Sequence, residues 1–335
     1  CTPIIYGSPK VAAYHRNALG IQANFTIINN VEDAVDGKVN LLTTFDEDVK
    51  VDMGQPSKEA GTAALKALDR AMEDYKAGGY DVLVTAPINK NDIQGDGFRF
   101  CGHTEYIQEK VGEGKKALMI LAGNSLRVAL VTTHLPIAEV ASAITKEAIV
   151  EKCTIFNEAL RRDFNVSAPR IAVLSLNPHA GDGGVIGNEE ENVIKPALDE
   201  LEAAGVKAFG PFAADGFFGQ GMYTAFDGVL AMYHDQGLAP FKTIVGGEGV
   251  NITAGLPIVR TSPDHGTAYD IAGKGVADET SFRTAVYKAI DIFRNRINYD
   301  EPMQNPLQKL YHERRDDSEK VRFAVPKKPK QTEQQ

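Results

Sequence analysis

Apolar runs a few residues long recur along this chain, and most of them empty into polar, Gly-bearing stretches, with segments of helical periodicity between them. Thr2 to Gly7 predicts a short buried strand, and Val11 to Leu19 a helix that Gly20 stops in the left-handed conformation. Ala23 to Ile28 and Leu41 to Phe45 are further strand candidates. Ser57 is placed to cap a long helix with Ala64, Leu65, Leu68, Met72 and Tyr75 on one face, ended by Gly78-Gly79. Asp81 to Val84 follows as a buried strand running into Thr85 to Lys90. Helix, Gly stop, apolar strand and polar loop in that order predict a parallel α/β sheet. Ala117 to Leu121 and Val128 to Thr132, joined by Ala122 to Ser125, predict an antiparallel hairpin. A helix from near Thr145 buries Ile149, Cys153, Phe156 and Leu160, and Ile171 to Leu176 is the next strand. Asn188 then caps a helix opening on Glu189, Glu190 and Glu191, a favourable charge arrangement, and Gly205 stops it. Val206 to Phe209 reads as a strand and Pro211 to Gly216 as a loop. The last helix spans Ser281 to Asn298 with Phe282, Val286, Ala289, Ile290 and Phe293 inward, and Val325 to Gln335 reads as a solvated tail.

Chemistry concentrates between Leu230 and Gly275. There an apolar run, Val229 to Tyr233, ends in His234-Asp235-Gln236-Gly237, the pattern of a buried strand delivering polar groups at its carboxyl end. Lys242, Asn251, Arg260, Asp264 and His265 follow at spacings that loops would fold together. His134 and His179 also follow directly on strand-like runs. Three imidazoles at strand ends would meet in one crevice and leave open positions on a divalent metal; three unrelated strand-end histidines are the alternative. His103, in Gly102-His103-Thr104-Glu105, either orients an anion or lies beside Thr104 as a helix cap. Lys242 and Arg260 suit a phosphate or carboxylate pocket, or a solvated surface pair. No GxGxxG lies between a strand and a helix and no GxxxxGK[ST] occurs, so a dinucleotide would have to bind without a Rossmann fingerprint.

Composition narrows the setting. The 335 residues, 43% hydrophobic and 24% charged, suffice for two ordinary domains or one large α/β unit, and no apolar run is long enough to cross a bilayer. A net charge of −9 argues against a nucleic-acid partner, which needs a basic face. Cys1, Cys101 and Cys153 are odd in number and widely spaced, which fits a reducing, cytoplasmic setting and no disulfide framework.

The segments VTAPINK, GHTEYI, TTHLPI, LNPHAGDGG, GPFAADGFF, YHDQGLAPFK and GVNITAGLPIVRTSPDHGTAYDIAGKG resemble, in order and spacing, the 4-hydroxythreonine-4-phosphate dehydrogenases of pyridoxal phosphate biosynthesis. The block from His265 also resembles the cofactor loop of isopropylmalate and isocitrate dehydrogenases. The resemblance implies a two-domain α/β/α fold like theirs, with largely parallel sheets. One domain would comprise residues 1–105 plus 253–320, on the cofactor side. The other, 106–252, would carry most metal ligands and the dimer interface, and a polar tail would occupy 321–335. It further implies oxidation of 4-phosphooxy-L-threonine at C3 with NAD, then decarboxylation to 3-amino-1-hydroxyacetone 1-phosphate. Implied ligands of one divalent metal (zinc, magnesium or cobalt) are His134, His179 and His234. Implied substrate contacts are His103, Thr104, Lys242, Asn251 and Arg260, with Lys242, Asp215 and Asp235 the catalytic candidates and His103 a further candidate base. His265 and Asp270 would meet the dinucleotide. A homodimer with shared active sites is also implied. Two readings share this ligand set: a dehydrogenase of 4-phospho-threonate or 4-phospho-erythronate, and a non-catalytic phosphosugar-binding protein. Family members open on a strand and a G-D-x-x-G-x-G-type loop, and this sequence begins beyond that point, so residues upstream are expected.

Overall fold

Strands that run parallel need a crossover between them, and helices supply nearly all of those crossovers here. The computed structural model describes residues 1–45, 49–95 and 97–306. Its first part comprises β1 (Ile4–Gly7), α1 (Pro9–Leu19), β2 (Thr26–Ile28), β3 (Asn40–Thr43), α2 (Lys58–Lys76), β4 (Val82–Val84), α3 (Lys90–Ile93) and α4 (His103–Val111). Then come β5 (Leu118–Ala122), β6 (Arg127–Leu130), α5 (Ile137–Ala143), α6 (Lys146–Arg162), β7 (Ile171–Leu174), α7 (Lys195–Ala203), β8 (Ala208–Phe212), α8 (Ala214–Gly219) and β9 (Gly228–Ala231). The chain continues with α9 (His234–Val245), β10 (Val250–Ala254), β11 (Val259–Pro263) and α10 (Thr280–Gln304). The tail expected at 321–335 lies outside the described residues.

Two sheets result. A three-stranded parallel sheet has the order β1-β3-β2, and an eight-stranded sheet has the order β4-β11-β10-β5-β6-β9-β7-β8. Pairing is parallel along β6-β9-β7-β8 and between β4 and β11, and antiparallel along β11-β10-β5-β6. The large sheet is continuous across residues 252 and 253, because β10 spans them. Both of its faces are covered. Ile120, Ala129, Val173 and Leu230 join a core with Phe156 and Leu160 of α6, Leu201 of α7 and Ala289 of α10. Leu121, Val128, Leu174 and Val229 join another with Phe217 of α8 and Phe241 of α9. That is an α/β/α sandwich. Strands covered on both faces are apolar throughout, and each fully buried Leu, Ile, Val or Phe contributes about 1.5–3 kcal/mol.

Local signals hold where one residue decides the geometry. The Ser57 hydroxyl accepts from the Ala60 N–H, the Thr145 hydroxyl accepts from the Ala148 N–H, and Gly20 is left-handed at φ 66°. Tertiary contacts correct the reading elsewhere. The stretch expected as loops from Lys242 to Arg260 folds as the end of α9 and the pair β10 and β11. Pro211 to Gly216, also read as a loop, completes β8 and begins α8. The helix after Asn188 opens on a π-helical turn, Glu190–Ile194, without a side-chain cap, and Glu190 is turned into the interior rather than toward solvent.

The buried stripe of α10 is Ser281, Ala285, Ala289, Ile292 and Arg296, so only Ala289 belongs to the expected set and Phe282 is exposed. Small side chains let α10 lie close on β11, and an ion pair fixes its rotation. Arg296 Nε lies 2.6 Å from Asp163 Oδ1, with the two side chains 7% and 2% exposed. Arg296 also donates to the carbonyls of Leu256 and Pro257. Removing one member of such a pair strands the other charge in the interior. Asp163→Ala should therefore cost about 3–5 kcal/mol, read as a lower urea midpoint. Arg162→Ala, which breaks a more exposed pair with Asp300, should cost no more than about 1 kcal/mol. Equal losses in the two variants would count against this account of α10.

Candidate active site

Because β6, β9 and β7 are adjacent and mutually parallel, their carboxyl ends lie side by side. His134, His234 and His179 leave those three ends, as the strand pattern predicts. The Thr132 hydroxyl donates to the Met232 carbonyl at 2.8 Å, tying the first two exits together. The rings of His134 and His234 are 6.2 Å apart, inclined at 40°. His234 is the first residue of α9, and its Nδ1 lies 2.7 Å from Asp235 Oδ1. A carboxylate there favours the Nδ1–H tautomer and leaves Nε2 with its lone pair outward. Burial, then the charge of Lys90, holds His134 below the ordinary imidazole pKa. For His134 that direction favours the neutral form that metal ligation requires.

His179 stands apart. It lines a second cavity, of about 510 Å³, with Asp215, Asn177, Tyr233 and Gln236. From His179 to Gly184 every residue has positive φ, at 52°, 53°, 80°, 45°, 62° and 96°. The left-handed conformation costs about 1–2 kcal/mol for each of the non-glycine residues His179, Ala180 and Asp182. Among the described residues no three His, Cys, Asp or Glu side chains are close enough to hold one metal ion. A single chain thus brings two of the three candidate ligands together.

The first cavity, about 490 Å³, gathers the anion-binding candidates: His103, Thr104, Lys242, Asn251 and Arg260 all line it, with His134 and His265. Antiparallel pairing of β10 and β11 sets Arg260 opposite Thr253 and Asn251 opposite Ser262. Arg260 is 4% exposed, and its recorded hydrogen bonds go only to the hydroxyls of Thr85, at 2.6 and 3.1 Å, and Thr253, at 3.2 Å. Burial lowers its pKa to about 10, still well above neutrality. It is a buried cation whose direct partners are neutral. Lys242 is 3.2 Å from Asp264, whose carboxyl is pushed up by burial against the opposing effect of Lys242. Two buried acceptor oxygens in the same cavity, Glu105 Oε2 and Asn251 Oδ1, have no hydrogen-bond partner among the described residues. The cap of α4 is Gly102, so Thr104 sits inside the first turn rather than capping it. That turn presents the positive end of a helix dipole to the cavity.

Residues 1–289 match the model of the family described as pyridoxal phosphate biosynthetic protein PdxA. The chain belongs to that family. It is 61% identical to the 4-hydroxythreonine-4-phosphate dehydrogenase of Bacteroides thetaiotaomicron over 323 residues, covering 96% of this chain and 89% of the relative. It is 44% identical to the enzyme of the same name from a Sulfurihydrogenibium species, covering 88% of this chain and 89% of the relative. The crystal structure of the Klebsiella pneumoniae 4-hydroxythreonine-4-phosphate dehydrogenase superposes with a TM-score of 0.74 at 32% identity, over 87% of this chain and 90% of that one.

In this PdxA-family chain the remaining candidates are dispersed. His265 is exposed at the cavity edge, with Nδ1 2.9 Å from the Gly266 carbonyl. Asp270 is exposed in a 3-10 turn, Tyr269–Ile271, outside both cavities. The loop behind it packs on the amino-terminal part: a Cβ on Gly273, at φ 74°, would lie 1.8 Å from Met53 Sδ. Asp215 is near His179, and Asp235 is engaged with His234. Thr85, Lys90 and Glu105, to which the residue pattern gives no role, line or brace the first cavity together with Asp264. Thr85 and Lys90 fall in the strand-to-loop segment TAPINK, the position where α/β sheets place ligand contacts.

His103 yields a test by pH. Burial first, then the charges of Arg260 and Lys90, lowers its pKa from 6.5 to about 3. The unfolded chain therefore takes up this proton before the folded one. The contribution to stability is complete above pH 6.5 and is lost as pH falls toward 3. His103→Gln should flatten the fall in stability between pH 6.5 and 4 in denaturant titrations. An unchanged slope would show that His103 is protonated normally.

Proposed function

We propose that the chain oxidises 4-phosphooxy-L-threonine at C3 with NAD and releases carbon dioxide, giving 3-amino-1-hydroxyacetone 1-phosphate on the route to pyridoxal phosphate. The observation that carries this is Arg260, a buried guanidinium that among the described residues donates to the hydroxyls of Thr85 and Thr253, has the Glu105 carboxylate as a nearby charge without a hydrogen bond to it, and faces a cavity beside two strand-end imidazoles. Such a group demands an anionic ligand. With Lys242, Asn251, His103 and Thr104 it would hold the phosphate, fixing the distance from that group to the reacting carbon.

His134, His234 and His179 would hold the metal, and imidazole nitrogens suit zinc or cobalt better than magnesium. The metal, when bound, supplies Lewis acidity, and NAD supplies the hydride acceptor. We read the third position as filled across a homodimer. Ile137, three residues beyond His134, is 73% exposed, and Val185, in the turn after His179, is 82% exposed. Apolar side chains so open beside both histidines fit a face covered by a second copy.

Oxidation at C3 removes the hydroxyl proton, and loss of carbon dioxide leaves a carbon that must take one up. Lys242, Asp215 and Asp235 are the candidates for these transfers. Asp235 also orients His234 through Nδ1. His265 and Asp270 would meet the dinucleotide, the carboxylate accepting from ribose hydroxyls. The strands and loops before residue 106 and after 252 would then form the cofactor side.

Arg260→Ala should raise KM for the phosphorylated substrate about 10- to 100-fold, the worth of hydrogen bonds to a buried charge, and leave KM for NAD nearly unchanged. Equal effects on both would count against the anion clamp. In an NADH-formation assay, 4-phosphooxy-L-threonine should outpace the threonate and erythronate phosphates. Faster turnover of either would reassign the substrate, and no turnover of any would leave a binding protein.

A further inference from the structure

The left-handed turn that carries His179 has a specific anchor. Glu190 is 1% exposed, and its carboxylate faces the segment leading into that turn. Oε1 accepts from the backbone N–H groups of Leu176, at 2.8 Å, and Asn177, at 2.7 Å, and Oε2 accepts from the Asn177 side-chain amide at 3.0 Å. A Cβ on Gly181 would lie 2.7 Å from Glu190 Oε2, so the turn lies flush against the carboxylate. The Ile186 N–H closes the turn on the Gly181 carbonyl at 3.1 Å. Glu190 is itself held in the π-helical turn Glu190–Ile194, a distortion found disproportionately near functional sites.

Packing alone does not account for a charge at this place. A buried carboxylate is costly to desolvate, and an apolar side chain of the same size would fill the space without that cost. What the carboxylate adds is direction: all three of its recorded donors lie in the two residues that precede Pro178 and His179. The bonding continues sideways. The Ser175 hydroxyl donates to the Asn177 carbonyl at 2.9 Å, and Gln236 Nε2 donates to the Ser175 carbonyl at 2.6 Å. Gln236 Oε1 accepts from the Met232 N–H at 2.7 Å, and the Met232 carbonyl is the one that Thr132 bonds. Glu190, Ser175, Gln236 and Thr132 thereby lace together the three strand exits that bear His179, His234 and His134.

We propose that Glu190 is a positioning residue of the metal site, holding the left-handed turn so that His179 is presented as a ligand; this rests on the metal reading above. The test is the affinity of the metal-stripped full-length protein for zinc, measured by competition with a chromophoric chelator. Glu190→Gln keeps the size but sets an amide N–H₂ among amide donors. It should weaken zinc binding about 10- to 100-fold, the usual effect of losing a ligand's supporting bond, with the circular dichroism spectrum and KM for NAD unchanged. His179→Ala is measured beside it. If His179→Ala weakens zinc binding and Glu190→Gln does not, the positioning role is refuted and the metal reading stands. If neither changes it, the metal reading fails and this inference with it. Should Glu190→Gln not fold, Asn177→Ala, whose amide donates to both Glu190 and Glu189, is expected to weaken zinc binding while Glu189→Ala is not; wild-type affinity in Asn177→Ala, or an equal loss in Glu189→Ala, would overturn the proposal.

Discussion

The parallel pairing of β6, β9 and β7 is the constraint on which the rest of the site depends. Parallel strands all finish at the same edge of a sheet, so the segments that follow them leave from adjacent points however far apart they lie in sequence. His134, His179 and His234 are separated by intervening helices, yet their strands are in direct register contact. The helices that make this pairing possible also bury both sheet faces. The histidine-bearing exits are therefore fixed by the same packing that stabilises the fold, and the side-chain bonds among Thr132, Gln236, Ser175 and Glu190 refine their spacing.

Electrostatics in the first cavity run against the charge of the whole molecule. The chain carries a net −9, yet Arg260, Lys242, Lys90 and Lys152 all line one cavity. Burial keeps the neighbouring imidazoles uncharged: His103 and His134 are both depressed by desolvation first and by nearby cations second. The four basic side chains outnumber the two carboxylates of the same lining, Glu105 and Asp264, so the cavity favours an anion although the whole chain is acidic.

Much of this was legible from residue pattern. Apolar runs ending in histidine locate three strand ends, and the Ser57 cap and the helical spacing of apolar residues from near Thr145 place two long helices with their buried faces. What pattern missed has a common cause. β10 and β11 carry Asn251, Thr253, Arg260 and Ser262, polar residues that read as loop because their partners, such as Thr85, are distant in sequence. The face of α10 was misread for the same reason: Arg296 is buried only because Asp163 meets it there. By position Glu190 is a helix-terminal charge, and the segment it bonds, folded against it, makes it interior. A long-range partner turns a polar residue into an interior one, and periodicity carries no record of that partner. The separation of His179 from the other two histidines within one chain was likewise invisible to strand-end position alone.

Arg260 lies on a strand hydrogen-bonded on both sides, to β10 and to β4. Its guanidinium is held by the hydroxyls of Thr253, in β10, and Thr85, the residue just after β4. The end of the cavity that carries Arg260 is thus held by the sheet itself, whereas His265 and Asp270 sit on an exposed loop. On the proposed reading such a cavity would work as a fixed ruler: the sheet would set the distance from a clamped anion to the histidines, and a ligand one bond too long or too short would be misplaced at the reacting carbon even with its anion bound.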